Sequence, residues 1–205
     1  MKKRILAVLV FCSIVSFSLN ARSLYDVSLG FGAAYSGSWG SGYFDEMSDT
    51  TNWTVGGELS VRVGFLQTQA MIFPVQCGAT GEGALLIGFA GINTPILGNL
   101  LHFEFGLGAS AMYVLADNGG TTSHYKLADE SVSSTADITF WEAVQQSPMY
   151  VMVGFGTDFG SVGIRVRYLM ESSLTLNDFL DSPAKWNVFI IQKNTLSLAL
   201  SLKMF

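Results

Sequence analysis

The chain has 205 residues, a length that predicts a single domain. Only 13% of its residues are charged and 49% are hydrophobic, whereas about 25% of a typical soluble domain is charged. The formal net charge is −5, and the sequence offers no basic patch, which argues against a nucleic-acid partner.

The N-terminus has the pattern of a secretory signal peptide. A basic start is followed by an apolar run from Ile5 to Leu19 and by the small residue Ala21. The run is short for a membrane-spanning helix, which needs about 20 residues. We therefore expect a cleaved signal peptide at residues 1–21 and one mature domain at residues 22–205.

The mature chain alternates bulky apolar residues with small or polar ones in a succession of segments. The clearest is Trp53–Leu66, where Trp53, Val55 and Leu59 alternate with Thr54 and Glu58. Alternation with a period of two is typical of strands, because successive side chains point to opposite faces. We predict eight strands: Leu24–Tyr35, Trp53–Leu66, Ala70–Cys77, Ala84–Gly91, Leu101–Leu115, Tyr150–Gly160, Val162–Glu171 and Trp186–Phe205.

The connections between these strands differ strongly in length. Short returns are predicted at Gln67-Thr68, near Asn93-Thr94-Pro95 and at Gly160-Ser161, whereas the longest loop, 116–148, contains a possible helical turn at Phe140–Val144. A helix over the apolar stretch 84–101 is an alternative, but glycine, proline and asparagine interrupt it. Short turns at one end and long loops at the other indicate an up-and-down barrel of the outer-membrane type.

The two faces of the predicted strands decide between a membrane barrel and a soluble lipocalin-type barrel. The bulky face carries no charge, aromatic residues lie at strand ends, and the opposite face is rich in glycine. Glycine suits the lumen of an eight-stranded barrel because the lumen is only just wide enough for side chains, whereas a solvent face does not favour glycine. We predict an all-β, eight-stranded antiparallel transmembrane β-barrel with the apolar face turned outwards.

The chain resembles the small eight-stranded outer-membrane proteins of double-membraned bacteria, of the OmpA, OmpX and OmpW type. The resemblance rests on the basic-apolar start, the alternating strands and the terminal Leu-Lys-Met-Phe205. It implies an outer-membrane location in contact with lipid, and recognition of Phe205 by the barrel-assembly machinery. Lys203, Ser201 and Ala199 occupy positions that are usually apolar in the family, so the bulky residues are one position out of phase.

The inward face carries a set of charged side chains that predicts the chemistry of the lumen. Charges in a narrow lumen must be paired or solvated. They therefore form either a plug of ion pairs or the gate of a narrow pathway. The candidate lumen residues are Asp26, Glu58, Arg62, His102, Glu104, Asp158, Arg165, Arg167 and Glu171.

The sequence does not predict an enzyme. His102, Glu104 and Ser110 share a face, but at about 3.3 Å per residue they spread over more than 20 Å of one strand. With two histidines and one mature cysteine, Cys77, we expect no closed transition-metal site, and we expect no cofactor.

The long loops are acidic and carry four aromatic candidates for contact with a cell-surface ligand: Trp39, Tyr43, Phe44 and Trp141. The resemblance to the OmpW type implies a narrow channel or conduit for small solutes, hydrophobic ones among them. The resemblance to the OmpX type implies the alternative, surface display and adhesion by a barrel with a plugged lumen. A soluble ligand-binding barrel is the second alternative.

Overall fold

The structure, a computed structural model, describes residues 25–35, 43–77, 81–97, 100–115, 124–128, 138–181 and 190–204. The expected signal peptide at 1–21, Trp39, Trp186 and Phe205 lie outside these described residues. In this part of the chain, no helix is long and apolar enough to cross a membrane.

The described part of the chain forms nine strands and a few short helices. The strands are β1 (Tyr25–Tyr35), β2 (Trp53–Val63), β3 (Leu66–Cys77), β4 (Gly81–Leu97), β5 (Leu101–Val114), β6 (His124–Lys126), β7 (Pro148–Phe159), β8 (Val162–Thr175) and β9 (Ile191–Lys203). The helices are α1 (Tyr43–Ser48), α2 (Phe140–Gln146), α3 (Leu176–Asp181) and a 3₁₀ turn at Thr50–Asn52.

Eight of these strands close into a barrel. Each pairs antiparallel with its neighbours in the order β1-β2-β3-β4-β5-β7-β8-β9, and β9 pairs back onto β1. The short β6 adds to the end of β5, where Tyr113 faces Tyr125. The prediction of an eight-stranded antiparallel up-and-down barrel is confirmed.

The two ends of the barrel differ as the loop lengths predicted. At the turn end, β2 meets β3 through Gly64-Phe65 and β7 meets β8 through Gly160-Ser161. Gly64 and Gly160 have φ of 62° and 63°, as two-residue hairpin turns with glycine in first position require. At the loop end lie the long connections that carry α1, α2 and α3. The predicted turn at Gly160-Ser161 is confirmed.

The return predicted at Gln67-Thr68 is wrong. The turn comes three residues earlier, because Gly64 is the residue that can adopt a positive φ without strain. Gln67 and Thr68 belong to β3, where they pair with Arg62 and Val61.

The turn predicted near Asn93-Thr94-Pro95 is also wrong. These three residues continue β4 and pair with Glu104, Phe103 and His102 of β5. The ladder becomes irregular only between Pro95 and Leu97, where proline has no N–H to donate. Asparagine suits a turn in isolation, but here its side chain is buried and bonded inside the barrel.

The outer wall of the barrel is apolar and exposed. Phe31 is 72% exposed, and Val63, Phe155 and Leu200 are each at least half exposed. The interior instead holds most of the buried charges. This is the reverse of the arrangement in a soluble lipocalin-type barrel, so that alternative does not fit.

The interior has two layers. Towards the turn end it is polar and charged, whereas towards the loop end it is filled by large apolar side chains. The apolar layer consists of Ala34, Met71, Phe73, Ile87, Phe89, Tyr150, Met152 and Leu169. The alternation in the sequence predicts the polar layer but not the apolar layer.

Candidate functional site: the charged lumen and the loop end

The structure places all nine candidate lumen residues inside the barrel. Each is buried, and His102 and Glu104 have no exposed surface. Alternation along the strands explains their common direction: Arg165 and Arg167 are two residues apart on β8, as are His102 and Glu104 on β5.

Two arginines and two glutamates form a cross-brace through the lumen. Arg167 of β8 binds Glu58 of β2 through Nη1 and Oε2 at 2.7 Å, and Glu104 of β5 through Nε and Oε2 at 2.7 Å. Arg165 binds the other oxygens of the same carboxylates, with Nη1 3.3 Å from Glu58 Oε1 and Nε 3.1 Å from Glu104 Oε1. Each carboxylate is thus held between two guanidinium groups, which ties three separated strands together.

Neutral polar side chains add hydrogen bonds to carboxylate oxygens that already face an arginine. Gln69 Nε2 donates to Glu58 Oε2 at 3.1 Å, and Asn93 Nδ2 donates to Glu104 Oε1 at 3.0 Å. Arg165 also donates to the hydroxyls of Ser201 and Ser28. Buried charge is tolerated when its oxygens and N–H groups find partners in this way.

Glycines make the room that the cross-brace needs. Gly30 lies opposite Glu58, and Gly154 lies opposite both Glu104 and Arg167 in the strand register. Gly156 lies between His102 and Arg165. A Cβ on Gly154 would come within 2.8 Å of Arg167 Cγ, and one on Gly156 would overlap the His102 ring. The glycine-rich face therefore reflects close packing against charged side chains.

A second group of charges closes the turn end of the lumen. Arg62 Nη2 lies 3.2 Å from Asp26 Oδ2, and Lys203 Nζ lies 2.8 Å from Asp158 Oδ2 and 3.4 Å from Asp26 Oδ2. His102 stands between the two groups, with Nε2 3.4 Å from Glu104 Oε1 and Nδ1 3.8 Å from Asp158 Oδ2.

Near the loop end, Glu171 accepts a hydrogen bond of 2.6 Å from Tyr150 Oη. Tyr150 belongs to the apolar layer, so this carboxylate lies apart from the cross-brace. The inward charges thus form two groups that are linked through His102, with Glu171 separate from both.

Sequence reasoning missed several lumen residues. Lys203 shares the parity of Ser197 and Ser201, so the alternation of the last strand could have identified it. Gln67 and Asn93 were assigned to turns, and no signal in the sequence separates a turn asparagine from one inside a barrel.

The aromatic loop candidates are only partly described. Tyr43 and Phe44 begin α1, and Trp39 lies outside the described residues. Trp141 is in α2 and is 68% exposed. Its neighbour Phe140 packs edge-to-face on Tyr125, with ring centroids 5.4 Å apart.

Two acidic residues of the loops have pKa values shifted by local hydrogen bonds. The backbone N–H of Thr51 holds the pKa of Asp49 below its usual value, and the backbone N–H of Thr139 does the same for the pKa of Glu142. Thr139 and Glu142 form a capping box that fixes the start of α2.

Ser110 and His102 lie at different levels of the lumen. Ser110 Oγ donates to the carbonyl of Pro148 at 3.1 Å, and His102 is held among carboxylates at the turn-end side of the lumen. Among the described residues, no group of three or more His, Cys, Asp or Glu side chains could hold a metal ion.

Comparisons with known proteins give a likeness in structure but none in sequence. No protein-family profile and no curated protein sequence matches the chain. Among solved structures, the chain is similar to Ail, the attachment invasion locus protein of Yersinia pestis, crystallised with the heparin analogue sucrose octasulfate. The identity is 10%, the TM-score is 0.39, and the match covers 88% of this chain and 97% of Ail. A likeness at this level carries no function across.

Proposed function

We propose that the chain is an outer-membrane barrel with a closed lumen, and that it acts without catalysis through its long loops at the cell surface. The apolar outer wall supports the membrane location, since a polar interior inside an apolar wall suits lipid surroundings. The short turns then face the periplasm and the long loops face outwards.

The observation that carries the closed lumen is the cross-brace. Arg165, Arg167, Glu58 and Glu104 span the interior at 2.7–3.3 Å, and each is buried. The apolar layer lies between this brace and the loop end. A solute would have to displace both layers to pass.

Conductance in planar bilayers tests this proposal. The mature chain is refolded, and its heat-modifiable gel mobility serves as the folding control. We expect a folded barrel that gives no single-channel steps at neutral pH. Regular steps from the unmodified barrel would overturn the closed lumen and restore the narrow conduit as the leading function.

A gated conduit is the second candidate, because the polar layer is held by ion pairs instead of apolar packing. If the cross-brace is a gate, replacing both arginines in R165S/R167S should produce channels that the unmodified barrel lacks. The exposed Lys193 gives a control, K193S, which removes a positive charge near the loop end and leaves the cross-brace intact. Silence of the double variant would mean that the apolar layer keeps the lumen closed without the brace, so the cross-brace is not the gate.

The long loops carry exposed acidic side chains, which indicate the kind of ligand they would bind. The exposed acids Asp45, Asp49, Glu142 and Asp181 are distributed over the segments that carry α1, α2 and α3. A net acidic surface favours basic partners by long-range attraction. We therefore propose a positively charged ligand at the cell surface.

Immobilised polylysine is a suitable probe for the barrel in nanodiscs of zwitterionic lipid, with polyglutamate as the matched negative surface. We expect binding to polylysine that weakens in D45N/D181N and with added salt. Equal binding by the unmodified barrel and the variant would show that these acidic residues do not bind polylysine.

A further inference from the structure

The outer wall carries a groove that the lumen does not explain. It has a volume of about 580 Å³ and lies where β2, β3, β4 and β5 pass beneath α2. Its volume falls in the range of about 300–1,000 Å³ that is typical of ligand pockets. Of its lining residues, Glu58 and Ser110 are polar, and both turn their side chains into the lumen.

The floor of the groove is a row of small residues in register. Ala70 of β3 pairs with Gly88 of β4, and Gly88 pairs with Ala109 of β5, whereas the larger Leu59 of β2 lies opposite Ala70 at the border of the row. A Cβ on Gly88 would meet nothing within 4 Å. Small side chains across adjacent strands thus leave a depression in a wall that is otherwise covered by large apolar side chains.

The helix α2 forms the side of the groove. Phe140, Trp141 and Val144 line it, and Ala111 on the outward face of β5 is only 1% exposed. The opposite edge of the helix carries Glu142, Gln145 and Gln146, which are exposed. The helix is therefore apolar towards the groove and polar away from it, with a tryptophan at the boundary.

We propose that this groove binds an acyl chain of a membrane lipid. It is continuous with the exposed apolar band of the barrel, so in a bilayer it opens onto hydrocarbon. An amphipathic helix with tryptophan at its edge suits the boundary between acyl chains and headgroups. The polar edge of α2 then lies beside the headgroup of the lipid whose chain fills the groove.

The inference rests on the proposed membrane location but not on a closed or open lumen. The test variant is G88L, which fills the groove from a position with free space and leaves the lumen unchanged. The matched control is A90L, two residues along the same strand and on the same outward, exposed face but outside the groove lining.

Native mass spectrometry of barrels released from dimyristoyl phosphatidylcholine nanodiscs would measure retained lipid. Flotation with vesicles of the same lipid first shows that each variant enters a membrane. We expect one lipid to persist on the unmodified barrel and on A90L after the loosely held lipids are lost. Its occupancy on G88L should fall by about tenfold or more, the effect of filling an apolar pocket.

Three outcomes would overturn the inference. Equal lipid retention by G88L and A90L would show binding without regard to the groove. A dimer mass that G88L abolishes would show that a second copy covers it. Failure of the unmodified barrel to float with vesicles would remove the membrane location itself, and a conducting lumen would leave the inference untouched.

Discussion

At the scale of single residues, Arg167 is the side chain on which the polar layer depends most. Its guanidinium is fully buried and binds Glu58 and Glu104, both at 2.7 Å. Removing one partner of a buried ion pair costs about 3–5 kcal/mol, because the other charge stays buried. We expect R167M to lower the free energy of unfolding by about this amount, as measured by urea denaturation in lipid vesicles.

The exposed Lys193 gives the comparison for Arg167. K193M changes the charge equally on the surface and should alter the free energy of unfolding by less than about 0.5 kcal/mol. The double variant R167M/E104Q should recover part of the loss, since it removes a stranded carboxylate. Equal costs for R167M and K193M would mean that water, not protein, solvates the brace.

Glycine at position 154 is a second requirement at this scale. A Cβ there would come within 2.8 Å of Arg167 Cγ and of the Val166 carbonyl oxygen. Overpacking of this kind costs about 1–3 kcal/mol, so G154A should unfold at lower urea concentration. G88A, where a Cβ meets nothing within 4 Å, should not lower the unfolding midpoint, because alanine reduces the entropy of the unfolded chain. An equal decrease for both alanines would show that crowding at position 154 is not the cause.

At the scale of elements, the capping box decides whether α2 stays folded beside the wall. Thr139 Oγ1 accepts from the backbone N–H of Glu142 at 3.3 Å, and Glu142 Oε2 accepts from the backbone N–H of Thr139 at 2.8 Å. Loss of an N-cap costs about 1 kcal/mol. T139A should therefore speed hydrogen exchange of the α2 amides about fivefold, while the α1 amides keep their rates.

The same box gives α2 a pH dependence with a defined sign. Hydrogen bonds to the ionised carboxylate hold the pKa of Glu142 below its ordinary value of 4.5. Because the pKa is lowered, the ionised Glu142 carboxylate stabilises α2 fully above pH 4.5, and this stabilisation is lost as the pH falls through the lowered pKa. Protection of α2 should be constant from neutral pH to about 5 and decrease below 4.5. E142Q has no carboxylate to protonate and should lack this decrease. A decrease that persists in E142Q would belong to another group.

The strands could be located from the sequence, whereas the contacts between them could not. Alternation located the strands and the face of Glu58, Glu104 and Arg165, because a side chain's face depends only on parity along its own strand. The pairing of Glu58 with Arg165 spans 107 positions and depends on barrel closure and register, which no local pattern contains. The groove depends in addition on where α2 packs against β5, which tertiary contacts determine.

At the scale of the whole molecule, the inverted distribution of polar and apolar residues has a direct energetic consequence. Phe31 lies in the middle of β1 and is 72% exposed, whereas Tyr25 begins the same strand on the same face and is 52% exposed. In a bilayer, arginine costs about 2–4 kcal/mol at the midplane of a barrel wall and about 0–1 near an interface. We expect F31R to lower the free energy of unfolding in vesicles by about 2–4 kcal/mol and Y25R by less than about 1.

F31A and Y25A lose the same rings without adding a charge. The difference between the arginine and the alanine variant at each position therefore isolates the effect of charge. In water, arginine on either position of an exposed wall costs almost nothing, because its guanidinium stays hydrated. A depth-dependent penalty would thus place the wall of β1 across hydrocarbon, with Tyr25 at the headgroup boundary of the turn end. Equal and small penalties at both positions would instead mean that this apolar wall is covered by something other than a bilayer.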